Sequence, residues 1–364
     1  MEIDELRKKI NDPRIIENIL REIRKISAKL DQVRIMHVCG THEHEIVRSG
    51  LRELLPENVE VVSGPGCPVC ITPKREIDRI IFLADGCTIT TYGDMYKVPS
   101  NRGSLEDARN EGKDIRVVYS ITDAVDIAEK EGKEVIHFGI GFETTAPASA
   151  ATILQAPDNF SILSVHRLIP PAILFLLSQG EIRVDALLNP GHVSTIIGTV
   201  PYEIISEKFG VPQVVAGFEP ADILLGIYML LRQIYEGRSE VENEYARVIK
   251  REGNVKAQRM MEEVFFIIDA EWRGFQKIPK SGYGIRKKYE KWDALKKFED
   301  KLEDFVYEDV GEKGCRCGEV LRGLIKPEEC PLFRKTCSPS NPVGACMVSS
   351  EGACHIAFRF GNDL

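Results

Sequence analysis

Residues 59–70 read Val-Glu-Val-Val-Ser-Gly-Pro-Gly-Cys-Pro-Val-Cys, and residues 74–84 read Lys-Arg-Glu-Ile-Asp-Arg-Ile-Ile-Phe-Leu-Ala. An apolar β-type run (Val59 to Val62), a loop of glycines and prolines, and a run of helical period make a strand, loop and helix, the building unit of an α/β sheet. Glycine admits positive φ and proline fixes φ near one value, so the loop from Gly64 to Cys70 holds one shape, with its two sulfurs at the open end. Two thiols separated by two residues can close a ring or share a metal. A Cys-x-x-Cys ahead of a helix N-terminus has its thiolate favoured by the helix dipole, which suits a redox dithiol. The same spacing is half of a structural zinc site, and spacing alone leaves both readings open.

The unit recurs on both sides of this stretch. Asp12-Pro13 starts a helix carrying Ile15, Ile16, Ile19, Leu20, Ile23 and Ile26 at helical period. Arg34–Val38, Val59–Val62, Thr88–Thr91 and Ile115–Tyr119 read as buried strands, mostly followed by helices. From Glu134 the pattern repeats, with strands at Val135–Phe138, Ser161–Val165, Val184–Leu188 and Gln213–Val215. The expected fold is α/β: two tandem Rossmann-like parallel-sheet units plus a small irregular C-terminal iron-sulfur module. The expected boundaries are an N-terminal helix in 1–30, α/β units in 31–131 and 132–235, and a helical connector with the cysteine-rich module in 236–364. Residues Gly226 to Trp272 read as mostly helical.

Ligand crevices in such sheets lie beyond the carboxyl ends of the strands. The loops expected there carry Cys39-Gly40-Thr41-His42-Glu43-His44, the dithiol, Tyr92-Gly93-Asp94, Gly139 to Thr145, His166-Arg167, Asn189 to His192 and Gly217 to Pro220. Cys39, beside two histidines, reads as a thiolate for a soft or borderline metal rather than a buried small hydrophobe. His42 and His44 join it as candidates. Glu143 reads either as a base or as a helix-terminal charge. Cys87, His37 and His137 read as core residues, while His166 and His192 fit site membership and capping equally well. Gly139-x-Gly141 lacks the third glycine of a dinucleotide loop.

The chain has 364 residues, a net charge of −8 and 43% hydrophobic residues. Such a balance supports two or three globular domains and argues against a nucleic-acid or anionic-membrane partner. No apolar run reaches the length of a membrane span, and Met1 to Leu6 is too polar for a signal peptide, so a cytoplasmic location is expected. In a reducing compartment the ten cysteines point to metal or redox chemistry rather than a disulfide framework. Six of them, Cys315, Cys317, Cys330, Cys337, Cys346 and Cys354, follow one another with gaps of one, twelve, six, eight and seven residues. These gaps lack the paired knuckles of structural zinc and fit an iron-sulfur centre better. The segment is short and proline-rich, so a metal centre rather than an apolar core is expected to hold it. Four ligands leave two cysteines over, and a Cys315–Cys346 disulfide is one use for the spare pair.

Taken in order, Cys39-Gly40-x-His42-x-His44, the Gly64–Cys70 loop, Gly141-Phe142-Glu143-Thr144-Thr145, Pro190-Gly191-His192-Val193-Ser194 and Met347 to Cys354 closely resemble the HypD family, which matures nickel-iron hydrogenases. The resemblance runs from about Arg34 to the C-terminus. It implies a scaffold on which one iron receives two cyanides and a carbon monoxide. It also implies HypC as a stable partner, HypE as cyanide donor, and the hydrogenase large subunit as final recipient. By motif, Cys39 resembles the iron anchor, Cys67 and Cys70 the redox pair, and Cys317, Cys330, Cys337 and Cys354 the ligands of a [4Fe-4S] cluster. The protein would be a redox-active assembly factor rather than an enzyme turning over a small molecule. An iron-sulfur-dependent thiol-disulfide reductase and a non-catalytic metal-binding interaction module are the alternatives.

Overall fold

The computed structural model describes residues 12–311 and 314–361; the polar stretch Met1 to Leu6 lies outside them. Among the described residues there are eleven strands: β1 (Val33–His37), β2 (Val59–Ser63), β3 (Thr88–Thr91), β4 (Ile115–Val117), β5 (Val135–Gly141), β6 (Phe160–His166), β7 (Ala186–Pro190), β8 (Gln213–Ala216), β9 (Val241–Asn243), β10 (Phe265–Glu271) and β11 (Lys277–Ile285). Two parallel sheets form, in the orders β2-β1-β7-β8-β9 and β4-β3-β5-β6, while β10 and β11 make an antiparallel hairpin.

Two parallel-sheet units are what the alternation of strand and helix calls for, but they are not consecutive segments. The chain leaves the first sheet after β2, builds all of the second, and returns at β7. The dithiol loop and the helix Lys74–Leu83 are the outward crossing, and the helix Ile169–Gln179 is the way back. In the first sheet β1 has β2 on one side and β7 on the other, so the loops beyond β1 and its neighbours diverge and open a crevice there. The second sheet reverses at β3 and β5 in the same way.

The helix Pro13–Ser27 starts where expected, with the Asp12 carboxylate accepting the Arg14 N–H at 2.9 Å. Its Leu20 and Ile23 pack on Ile223, Ile227 and Leu230 of the helix Pro220–Glu236. Between residues 226 and 272 the structure corrects the helical expectation, because β9 and the start of the hairpin interrupt it. The Phe265-Phe266-Ile267-Ile268 run is β-forming and pairs with Gly282 to Ile285, which outweighs the helical period before it. The planned β4 also stops short, since Tyr119 projects fully into solvent.

The cysteine-rich segment departs further from expectation. Val320, Leu321, Phe333, Met347 and Ala357 are buried in the same apolar cluster as Met36 and Val38 of the first sheet unit. A Cβ on Gly323 would lie 2.8 Å from Met36 Cε, so the segment is seated directly on the sheet. It has an apolar core, shared with the rest of the molecule. No helix among the described residues is long and apolar enough to cross a membrane.

Gly226 lets the helix Pro220–Glu236 lie close to the first sheet: a Cβ there would stand 2.8 Å from Leu188 Cδ1 and 3.1 Å from Ala216 Cβ. Gly226→Leu should overpack this contact at a cost of about 1–3 kcal/mol. The urea unfolding midpoint should fall accordingly, and an unchanged midpoint would show that the helix can ride away freely.

Candidate metal-assembly site

The loops beyond β1 and β2 meet through their backbones. The Gly40 N–H donates to the Gly66 carbonyl at 3.1 Å, and a Cβ on Gly66 would fall 2.2 Å from the Cys39 nitrogen. Only glycine fits there. On its other side Gly40 touches the C-terminal segment, where an added Cβ would sit 2.5 Å from Glu351 Cβ. These contacts border a small cleft lined by Gly40, Gly66, Cys67, Leu321, Glu351 and Ala353, among others.

Cys39 is buried at the start of the helix Gly40–Arg48. Burial pushes its thiol up to about 12, against the amides of Thr41 and His42, which favour the thiolate, and Glu351 adds to the upward push. His42 is fully buried and its ring bonds the Gly217 carbonyl at 2.9 Å through Nε2, leaving Nδ1 without a partner. Burial holds His42 down at about 3, so the ring is neutral and Nε2 carries the donated proton. His44 is turned the other way, against Phe360 at 5.0 Å between ring centres.

Cys67 and Cys70 are joined in a disulfide, the only one among the described residues. Both are buried, and the Cys70 N–H donates to Cys67 Sγ at 3.1 Å. A backbone N–H on that sulfur favours charge on Cys67 when the bond opens. The helix Lys74–Leu83 begins beyond Pro73, so a short turn separates it from the dithiol.

The six C-terminal cysteines converge. All six line one small cavity, together with Phe333, Gly344 and Met347. Cys315 and Cys346 are not joined to each other; the Cys346 thiol hydrogen-bonds with Cys317 and Cys354 instead. Cys346 therefore stands among the four motif-matched cysteines, not apart from them. Among the described residues no group of three or more His, Cys, Asp or Glu is placed to hold a single metal ion. Such an ion needs donors about 2.0–2.3 Å from one point. A multi-iron cluster takes its thiolates at separate corners.

Cys39 and His42 adjoin the cleft through Gly40 without lining it, and the remaining candidates lie on other contacts. Glu143 is buried, its Oε1 accepts the Ile169 N–H at 3.0 Å, and Oε2 has no partner. It serves a helix terminus on another element, and burial pushes it up to about 8. His166 is fixed between the hydroxyls of Ser149 and Ser164 at 3.1 and 3.0 Å. His192 stacks on Phe218 at 3.9 Å. Cys87 and His137 are core residues, as expected.

Two features are not evident from residue types alone. Glu43, within the Cys39 motif, receives His37 and Arg52 at 2.7 Å each and ties the first turn of the helix Gly40–Arg48 to β1. Asp94, beyond β3, accepts the Ser349 hydroxyl at 2.9 Å and the Ser350 N–H and hydroxyl at 3.0 and 2.9 Å, fastening the segment that carries Glu351. Glycines at Gly40 and Gly66 are the sequence signal for such close approach.

The family model HypD, described as the hydrogenase formation hypA family, matches residues 14–361. The chain belongs to the HypD family. A Methanocaldococcus jannaschii protein named for hydrogenase expression and formation is 48% identical over 96% of this chain and 98% of its own. The hydrogenase maturation factors HypD of Cupriavidus necator and Escherichia coli are 44% and 42% identical, over 96% and 98% of this chain and 95% and 97% of theirs. Family membership places the protein in hydrogenase maturation, alongside other proteins of that machinery.

Burial pushes the Glu43 carboxyl up, but Arg52 and His37 outweigh it and hold it at about 2, below its ordinary 4.5. A depressed carboxyl contributes stability that is complete above the unfolded value and lost as pH falls through the folded one. Arg52→Met should destabilise the protein by about 1.5–3 kcal/mol at neutral pH. It should also move acid unfolding, followed by circular dichroism, to higher pH. An unmoved acid midpoint would remove Glu43 from the account of how Cys39 is held.

Proposed function

We propose that the protein is the scaffold on which the iron of a nickel-iron hydrogenase receives two cyanides and one carbon monoxide before passing to the large subunit. The observation that supports this reading above others is the backbone junction of the Cys39 loop with the Cys67–Cys70 loop at one cleft, in a chain of a hydrogenase maturation family. A stand-alone disulfide reductase has no need of a third thiol beside the pair.

In this reading Cys39 anchors the iron, which is cargo, together with a thiolate from HypC, and HypE supplies the cyanide. Iron(II) with thiolate and strong-field cyanide is a compatible set. A thiol held up at about 12 stays protonated and resistant to oxidation until a cation displaces its proton, so metal arrival is the event that ionises Cys39. Neutral His42 keeps a lone pair on Nδ1 and adds no positive charge to repel the metal. Cys67 and Cys70 cycle between disulfide and dithiol, with charge favoured on Cys67 by the Cys70 N–H. Cys317, Cys330, Cys337 and Cys354 would hold a [4Fe-4S] cluster, which when bound would supply single electrons to the Cys67–Cys70 disulfide. The all-thiol donor set around one cavity walled by Phe333 and Met347 fits such a group.

The test is infrared spectroscopy of the chain purified anaerobically with HypC. Wild type should show bands of bound cyanide and carbon monoxide, and Cys39→Ala should lose them. Iron and labile sulfide of the C-terminal site should stay unchanged in the variant. Bands of normal intensity in Cys39→Ala would move the anchor to another residue.

A further inference from the structure

We propose that Cys346 is a reserve ligand of the C-terminal thiol site, able to take the place of Cys317 or Cys354. This rests on the reading of that site as a [4Fe-4S] centre, and it gives a role to a thiol that the four motif-matched cysteines leave over.

The chain folds so that Cys346 lies between those two residues. Cys317 opens the helix Cys317–Leu321 and Cys354 lies in the first turn of the helix Ala353–Phe360, while Cys346 sits on the short helical turn Ala345–Val348. Gly344 lets this turn close on the first of them: a Cβ on Gly344 would stand 3.3 Å from Cys317 Cβ and 2.7 Å from Cys315 Sγ. Gly352 then folds the chain back, since a Cβ there would lie 2.2 Å from the Cys346 carbonyl oxygen. The His355 ring bonds the Met347 carbonyl at 3.0 Å through Nδ1 and holds the last helix against the same stretch. Cys346 is buried at the cavity wall, and its thiol shares hydrogen bonds with Cys317 and with Cys354.

Those hydrogen bonds define what the extra thiol does. Thiolates on separate iron corners carry like charge and share no proton, so two hydrogen-bonded sulfurs are one ligand and one thiol standing behind it. Cys346 is therefore not a fifth corner. Its sulfur already touches both neighbours, so exchange asks for a change of side-chain rotamer and not for movement of the backbone. In the exchange the bond from iron to the sulfur of Cys317 or Cys354 breaks and a bond from the same iron to the Cys346 sulfur forms. The Cys346 proton passes along the hydrogen bond to the sulfur that leaves, so charge and electron count stay the same and no outside reagent is consumed. Cys337 has a different partner, its sulfur accepting the Val343 N–H at 3.4 Å. A ligand lost to oxidation at Cys317 or Cys354 is thereby replaced from within the site.

The experiment measures iron, labile sulfide and the electron paramagnetic resonance of the dithionite-reduced protein, for the full-length chain after anaerobic reconstitution with iron and sulfide. Cys346→Ala, Cys317→Ala and Cys354→Ala should each hold the cluster at the wild-type stoichiometry. The double variants Cys317→Ala/Cys346→Ala and Cys354→Ala/Cys346→Ala should lose it. Loss from both single ligand variants, with the circular dichroism of wild type, overturns the proposal. A cluster retained in the double variants also overturns it, because another thiol then makes the replacement, and loss from Cys346→Ala alone overturns it by making Cys346 an obligatory ligand. If neither ligand variant folds, the rate at which a chelator takes iron from folded Cys346→Ala decides: roughly tenfold faster than wild type is expected, and an equal rate overturns the proposal. A wild-type chain that takes up no iron and sulfide overturns instead the cluster reading on which the proposal stands.

Discussion

The hydrogen bond from the Gly40 N–H to the Gly66 carbonyl is the contact on which the candidate site depends. It requires two glycines at backbone van der Waals distance, because a Cβ on Gly66 would collide with the Cys39 nitrogen and one on Gly40 with Glu351. Through it, three separate parts of the chain share one wall: the loop beyond β1, the crossing loop beyond β2, and the C-terminal segment. Parallel pairing of β1 with β2 brings the two loops out at the same sheet edge, and the glycines then let them close. Side-chain polarity around the junction follows from burial. Cys39 and Glu351 are pushed towards their protonated forms and His42 towards its neutral form, so the cleft carries little charge before a metal or an electron arrives.

The cysteine-rich segment shows how packing and chemistry divide the work. Its apolar residues belong to the main core, so apolar packing contributes to its docking on the first sheet. The sulfurs line a cavity within that packed segment. Asp94 then pins Ser349 and Ser350 from the second sheet, which makes the C-terminal segment a bridge between the reversal points of both sheets.

Much of this was legible in the sequence. Strand positions followed from short β-branched runs ahead of polar loops, and most came within a few residues of the observed bounds. Which sheet each strand joins was not legible, because a run such as Thr88–Thr91 carries no mark of its neighbour, and here the chain changes sheets twice. The strands β9 and β10 were hidden by the helical period on either side of them. At the site, the cysteines stood out by type and spacing. Glu43 and Glu351 did not, since a glutamate in a helix or turn looks solvated until its burial is known. His44 and Glu143 were singled out by motif and lie on other contacts, against Phe360 and at the Ile169 N–H.

The central claim is that iron held at Cys39 and the Cys67–Cys70 pair share one cleft. Infrared spectra of the loaded complex with HypC, recorded with the pair first reduced and then oxidised and with its state checked by alkylation, test it most directly. Charge and hydrogen bonding next to the iron change when the pair opens, so the cyanide and carbon monoxide bands should shift between the two states. Bands at the same frequencies in both would contradict a shared cleft and place the iron away from the dithiol.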